Sequence, residues 1–330
     1  MLSGIIIIDK PAGWTSHDVI AKLRGALKIK RIGHGGTLDP MATGVLPLCI
    51  GSATRITEYL DLDDKTYRCE MLLGLETDTQ DVWGKPLADN REILKQEQKS
   101  GAGFTEESIR DAFSRFHGVI DQIPPKYSAI KVNGRKLYEY ARSGETVEIK
   151  SRKVLIKSLV VTDINLEEMK VSFDVTCSKG TYIRAICSDV GKMLGCGGAM
   201  SSLVRLSSGI FTIDHAYLPD ELEKLDAHQL SPLVIPTDAP LVHFGKAVLD
   251  HERAGYFKNG GHIRMNEADI TAEPVYQNAN PPLAIREEYK RAYNMYERES
   301  GVDHFLGVAF YDLKYKKLVA DKVFLRGKDE

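Results

Sequence analysis

Three features of this 330-residue chain predict an α+β architecture: a mixed, mostly antiparallel sheet with flanking helices, plus a small C-terminal β-rich domain. Stretches with strand and helix periodicity mix irregularly, without the repeat of a parallel βαβ sheet. The length exceeds what a single core usually serves, so two domains are expected. Pro and Asp punctuate residues 236–246, and well beyond them two runs, 305–311 and 318–324, read as paired strands. The expected domains are residues 1–245 and 246–330.

Taken in order, Ile5, Ile6, Ile7 and Ile8 form a buried strand, closed by the turn Asp9-Lys10-Pro11-Ala12-Gly13. Ser16 can cap a helix with Val19, Ile20, Leu23 and Leu27 on one face and Lys22, Arg24 and Lys28 opposite. Residues 45–50 read as a second buried strand. Residues 66–73 alternate, which places Tyr67, Cys69 and Met71 on one face. Thr105 caps a helix carrying Ile109, Phe113 and Phe116. Residues 154–161 and 171–177 are further strands. Thr181 precedes a helix with Ile183, Ile186, Val190, Met193 and Leu194 at helical spacing. In the tail, a short helix lies near 250–257 and a turn at Gly260-Gly261. The polar residues 266–300 read as an insertion, part helix and part loop.

Hydrophobic content of 43% and charged content of 27% are those of a soluble globular protein. The net charge of −2 does not mark the whole chain as a nucleic-acid binder, so any basic surface is local. Residues 124–157 supply one. Nine Lys or Arg (Lys126, Lys131, Arg135, Lys136, Arg142, Lys150, Arg152, Lys153, Lys157) face three Glu, with Tyr127, Tyr138 and Tyr140 interleaved. Cations that neutralise phosphates, beside rings that stack on bases, suit RNA. A solvated helix face over packed tyrosines is the plainer alternative. The five cysteines (Cys49, Cys69, Cys177, Cys187, Cys196) form no C-x-x-C pair, which speaks against zinc and disulfides and for a reducing compartment. With no leader-like start and no long apolar run, a cytoplasmic location is expected.

The densest chemical signal is residues 33–44, where Gly33, Gly35, Gly36 and Gly44 surround His34 and Asp39. Such clusters mark unusual dihedrals or close approach of a ligand. Asp39 precedes Pro40, which holds it extended. A glycine-rich surface turn with a capping aspartate is the plainer alternative. No second carboxylate is near in sequence, so a two-acid mechanism lacks support, whereas one carboxylate suffices as nucleophile or base if it is held and aimed. Arg184 is a candidate partner. It falls in the first turn of a helix, where the dipole disfavours a cation and a compensating anion is expected. Phosphate-loop, dinucleotide and H-E-x-x-H patterns are missing, so no cofactor and no metal are expected.

The chain resembles the TruB family of tRNA pseudouridine synthases. Residues 33–44 are similar to the family's catalytic loop, Lys65-Thr66-Tyr67 to its tyrosine motif, and residues 177–184 to its arginine motif. Residues 123–129 and 136–142 are similar to its RNA-gripping insertion. Four matches in the family's order cover about residues 2–210, and 305–324 is similar to part of a PUA-type RNA-binding module. Arg55 stands where the family pattern has a lysine and receives no catalytic role.

The resemblance implies a pseudouridine synthase fold with a PUA-like tail, and isomerisation of uridine to pseudouridine in the T-loop of tRNA, at position 55. The base is flipped out, the N1 bond to ribose breaks, the uracil turns and C5 joins C1′. It implies Asp39 as the carboxylate that attacks the sugar or takes a proton from it, paired with Arg184. Tyr67 would stack on the uracil and assist removal of the C5 proton. His34 would fill the space left by the flipped base, with Gly35, Gly36 and Thr37 beside it, Tyr182 and Leu203 lining the pocket, and Lys126, Lys131 and Arg135 gripping RNA. A core position is the plainer alternative for Tyr67 and Leu203. A tRNA-acting monomer without cofactor, membrane or obligatory protein partner, which also assists tRNA folding, follows from the resemblance. A non-catalytic RNA-folding protein and an RNA-guided rRNA synthase are the rivals.

Overall fold

The computed structural model describes residues 2–275 and 285–324, in two compact units. The first comprises residues 1–40, 45–62 and 209–330, the second residues 41–44 and 63–208.

The second unit is built on an antiparallel sheet in the order Gly198–Ser208, Lys65–Leu73, Lys170–Cys177, Arg152–Asn165, Gly118–Gln122. Thr43 and Gly44 add a short parallel pairing to Val204 and Arg205. Alternation decides which face is covered: Val171, Phe173, Val175 and Cys177 are all buried, as are Cys69, Met71 and Leu73. Two helices lie on that face. Glu106–Ser114, capped by Thr105 as expected, sets Phe113 against Phe173 with ring centroids 5.0 Å apart. Ile183–Met193 brings Cys187 Sγ to 3.6 Å from Cys69 Sγ. The expected apolar stripe of this helix holds at Ile183, Ile186 and Val190, but Met193 is exposed, because the helix ends there and its last turn runs off the sheet.

In the first unit the strand Gly4–Lys10 lies beside Thr43–Ile50, whose far end pairs with Ile32–His34. The helix Ser16–Leu27 buries Val19, Ile20 and Leu23. Its cap is Thr15, not Ser16: Thr15 and Asp18 form a reciprocal capping box, which leaves Ser16 buried and available for another bond. Residues 245–323 form a six-stranded sheet, in the order Ile263–Arg264, Lys317–Val323, Val302–Asp312, Ala292–Glu299, Gly245–Leu249, Asp269–Ala272. The helix His251–Lys258 packs Ala254 and Phe257 into its core.

The strands at 302–312 and 317–323 pair as expected. Residues 266–300 differ from the expected helix and loop. Asp269–Ala272 is an edge strand and Ala292–Glu299 is interior to the sheet, paired on both sides. Its buried Asn294 donates its side-chain amide to the Leu241 carbonyl at 2.9 Å, while its Oδ1 has no hydrogen-bond partner among the described residues. Residues 276–284 of that stretch lie outside the described residues. The boundary expected near 245 coincides with the start of a strand, yet the core runs across it: Ile5, Ile7, Val45, Cys49, Ile56 and Tyr59 share one cluster with Phe244, Tyr289, Ala292 and Val308. Among the described residues no helix is long and apolar enough to cross a membrane, and all five cysteines are free and buried.

Candidate active site

In the first unit the glycine-rich loop follows the strand Ile32–His34. Gly35 is buried and donates to Pro47 O at 2.9 Å, and a Cβ there would come within 2.6 Å of Leu60 Cδ1, so a larger residue would push the Leu60 side chain aside. Gly36 takes the left-handed region at φ 81°. The residues on either side of Asp39 are anchored. Leu38 is buried and its N–H donates to Ser16 Oγ at 3.1 Å. The Pro40 carbonyl accepts from Lys10 Nζ and from the Gly13 N–H, both at 2.9 Å. Lys10, wholly buried, also donates to Pro11 O at 2.8 Å and Trp14 O at 2.6 Å. A charge-assisted three-way bond of this kind fixes a backbone firmly. Asp39 is thus an exposed carboxylate between two fixed points. Thr37 is exposed beside it, and His34 is half-buried, its ring edge-on to His17 at 5.5 Å.

In the second unit Arg184 sits in the first turn of Ile183–Met193 and is 5% exposed. Tyr182, the helix cap, has no capping side chain of its own. Buried Gln122 stands in, accepting the Tyr182 N–H at 2.8 Å and donating to its carbonyl at 3.1 Å. The guanidinium donates to Thr79 O at 2.9 Å and Tyr127 O at 3.1 Å, and lies 3.6 Å from an Asp81 carboxylate oxygen. The expected compensating anion exists here as a residue that the sequence reading did not single out. No local pattern separates Asp81 from other loop aspartates; it meets Arg184 only through tertiary structure.

Tyr67 is half-buried on Lys65–Leu73, opposite Val175 and Arg205 on the neighbouring strands. Tyr182 is half-buried and Leu203 is buried, opposite Cys69. Tyr67, Tyr182, Leu203, Arg184 and the basic residues therefore all belong to the second unit, and His34, Gly35, Gly36, Thr37 and Asp39 to the first.

The basic residues 124–157 contain a tight hairpin, Lys131–Val132 with Arg135–Lys136, turning on Asn133 and Gly134 at positive φ. Lys126 and Lys131 are exposed. Arg135 is engaged internally: it bonds Glu145 at 2.8 Å and stacks on Tyr140 at 4.6 Å, and the Glu145 hydrogen bond raises its pKa further. Lys136 and Arg142 both lie over Tyr138. Two of the three interleaved tyrosines, Tyr138 and Tyr140, thus bind the segment's own cations. Among the described residues no group of three or more His, Cys, Asp or Glu is placed to hold a metal ion.

Residues 24–183 match the family model for the N-terminal domain of TruB family pseudouridylate synthases, and residues 184–242 that for the tRNA pseudouridylate synthase B C-terminal domain. The chain is 44% identical over 277 residues to tRNA pseudouridine synthase B of Alkaliphilus oremlandii (strain OhILAs), spanning 84% of this chain and 88% of that protein. It is 44% identical over 310 residues to the Lactococcus lactis subsp. cremoris (strain MG1363) protein of the same name, spanning 89% and 92%. Among solved structures, a Cbf5-Nop10-Gar1 complex matches with TM-score 0.70 at 22% identity, over 98% of this chain and 85% of that one, a likeness of fold alone.

Proposed function

The chain belongs to the TruB family of pseudouridylate synthases, and from that membership we infer that it is an isomerase converting uridine to pseudouridine in tRNA. We propose further that its target is the T-loop uridine at position 55. That base is stacked in a folded loop and is flipped out before it reacts, at a cost of roughly a few kcal/mol. Asp39 attacks the ribose or takes a proton from it as the N1–C1′ bond breaks. The freed uracil turns, C5 bonds C1′, the C5 proton leaves with help from Tyr67, and N1 is reprotonated. Substrate and product are isomers, so the balance calls for no co-reactant. Arg184 pairs with Asp39 and orients it; His34 fills the vacated stack; Tyr182 and Leu203 line the pocket.

The observation that carries this reading is Asp39 itself. Both its backbone neighbours are tied down and the residue itself is exposed, the preorganisation a single catalytic carboxylate needs. The exposed Lys126 and Lys131 support a grip on the T-arm supplied by the chain itself, as a monomer without guide RNA or protein partner. The sheet that begins at Gly245–Leu249 supports a PUA-like domain over 246–330, and five free cysteines support a cytoplasmic site. The test is to incubate the purified protein with unmodified tRNA and map pseudouridine, then repeat with Asp39→Asn. The variant should form none while binding tRNA within about tenfold, or ~1.4 kcal/mol, of wild type. Turnover by the variant within an order of magnitude of wild type would sink the assignment.

A further inference from the structure

We propose that Trp83 is a stacking platform for an unpaired base of the RNA substrate flanking the target uridine, an inference that rests on the placing of Arg184 in the reaction site. Trp83 is 46% exposed, a large aromatic surface left in water. The other tryptophan, Trp14, has the Lys22 ammonium over its ring at 5.5 Å. What distinguishes Trp83 is the rigidity of its support. Asp81, which faces Arg184 at 3.6 Å, accepts the Trp83 N–H on its other oxygen at 3.2 Å. That same oxygen accepts Thr79 Oγ1 at 2.6 Å, and the Asp81 carbonyl accepts Thr77 Oγ1 at 2.6 Å.

The backbone is tied as tightly. Val82 donates to Met200 O at 2.9 Å, and Lys85 donates to Asp78 Oδ1 at 2.8 Å. Gly84 closes the turn where a Cβ would stand 2.1 Å from Thr79 Oγ1, so a larger residue would displace the Thr79 side chain. One carboxylate thus fixes both the guanidinium and the indole's backbone. A surface loop with no task does not need five hydrogen bonds to hold one indole ring in solvent.

An indole face accepts any base, since every base has a π surface, and binding there is tolerant of sequence. The exposed Lys85 places a cation two residues away, suited to the phosphate of the stacked nucleotide. A base splayed out of the T-loop to let its neighbour flip is a ligand of that chemistry.

Steady-state kinetics on an unmodified T-stem-loop RNA test this. Trp83→Ala should raise KM roughly tenfold, with kcat within about twofold, and Trp83→Phe should recover most of the loss. Because Trp83 is exposed, its replacement should leave thermal unfolding unchanged. In Trp14→Phe, where Trp83 is the sole indole, emission should quench on titration with stem-loop RNA and saturate at the concentration that saturates binding. An unchanged KM in Trp83→Ala, or emission indifferent to RNA, overturns the proposal. So does a change in oligomeric state by light scattering with KM unaltered, which would make the ring a contact between copies. A wild-type chain that makes no pseudouridine removes the underlying reading as well; an active wild type with an indifferent Trp83 removes this one alone.

Discussion

Lys10 carries more of the site than its position suggests. Its ammonium, with no exposed surface, draws together the carbonyls of Pro11, Trp14 and Pro40, so the loop that carries Asp39 is fixed by a side chain thirty residues before Pro40. Lys10→Met keeps the stem and removes the charge, so the carbonyls of Pro11 and Trp14 lose this donor and that of Pro40 keeps only the Gly13 N–H. We expect a loss of about 2–3 kcal/mol, seen as a fall in Tm of roughly 5–10 °C. At temperatures where the variant stays folded, kcat should fall with little change in tRNA affinity, since Asp39 is misaimed rather than removed. Unchanged kcat would show that the clamp serves stability only. Arg184→Lys keeps charge but loses the planar fork that serves Thr79, Tyr127 and Asp81 together. Single-turnover rates should drop more than binding does. The thiols give a control on folding: burial pushes Cys49 and Cys177 up to about 12, so they stay protonated and should react with Ellman's reagent only after denaturation. Asp39 was legible because glycine, proline and a lone carboxylate are local signals. Asp81 was not, because its meaning depends on a guanidinium about a hundred residues away.

The hairpin and helix of residues 131–143 separate two kinds of cation. Lys126 and Lys131 are exposed, whereas Arg135 is tied to Glu145 and Tyr140. Each lost phosphate contact should flatten the plot of log K against log salt by roughly 0.7–0.9. Replacing Lys126 and Lys131 by Ala should therefore lower the slope by about 1.5 together, while Arg135→Ala should mainly destabilise the hairpin. Equal slope changes for all three would contradict this division. In the six-stranded sheet, Asp303 joins Arg298 on the next strand and Lys246 on the strand beyond it, and those bonds hold its carboxyl down at about 2, against the ordinary 3.8. A lowered folded-state pKa stabilises above the unfolded value and is lost as pH falls through the folded one. The contribution is thus complete above roughly pH 5 and fades toward pH 2. Urea midpoints measured from pH 5 to pH 3 should fall less steeply in Asp303→Asn than in wild type; parallel slopes would rule the linkage out. The strand Ala292–Glu299 escaped the sequence reading for a related reason. Asn294 and Glu297 look solvated, yet both are buried against partners, Leu241 O for one and Lys258 with His251 for the other.

At the scale of the whole molecule, the chain's order and the core's composition disagree. The tail would pass for a detachable module by sequence, since turns and prolines precede it. Yet Tyr289, Ala292 and Val308 fill the same cluster as Ile5, Ile7 and Val45, and Arg55 donates to Val323 O at 2.5 Å. Ending the chain at Phe244 strips that cluster of several large side chains, each worth about 2–5 kcal/mol when deleted from a core. The shortened protein should lose cooperative unfolding by calorimetry; a truncation as stable as the full chain would show that the cluster is dispensable. Periodicity and caps are local, so they gave the strands and helices. Which stretches share a core is a long-range property that no window of sequence contains. That property has a consequence during synthesis. The strand Gly4–Lys10, four consecutive isoleucines at its centre, is made more than two hundred residues before its bridging partners at Tyr217 and Ile235. At ordinary rates of elongation the wait is roughly 10–50 s. For that interval the four isoleucines have the strand Thr43–Ile50 on one side only, and their other edge is bare, so it is there that a chaperone would be needed.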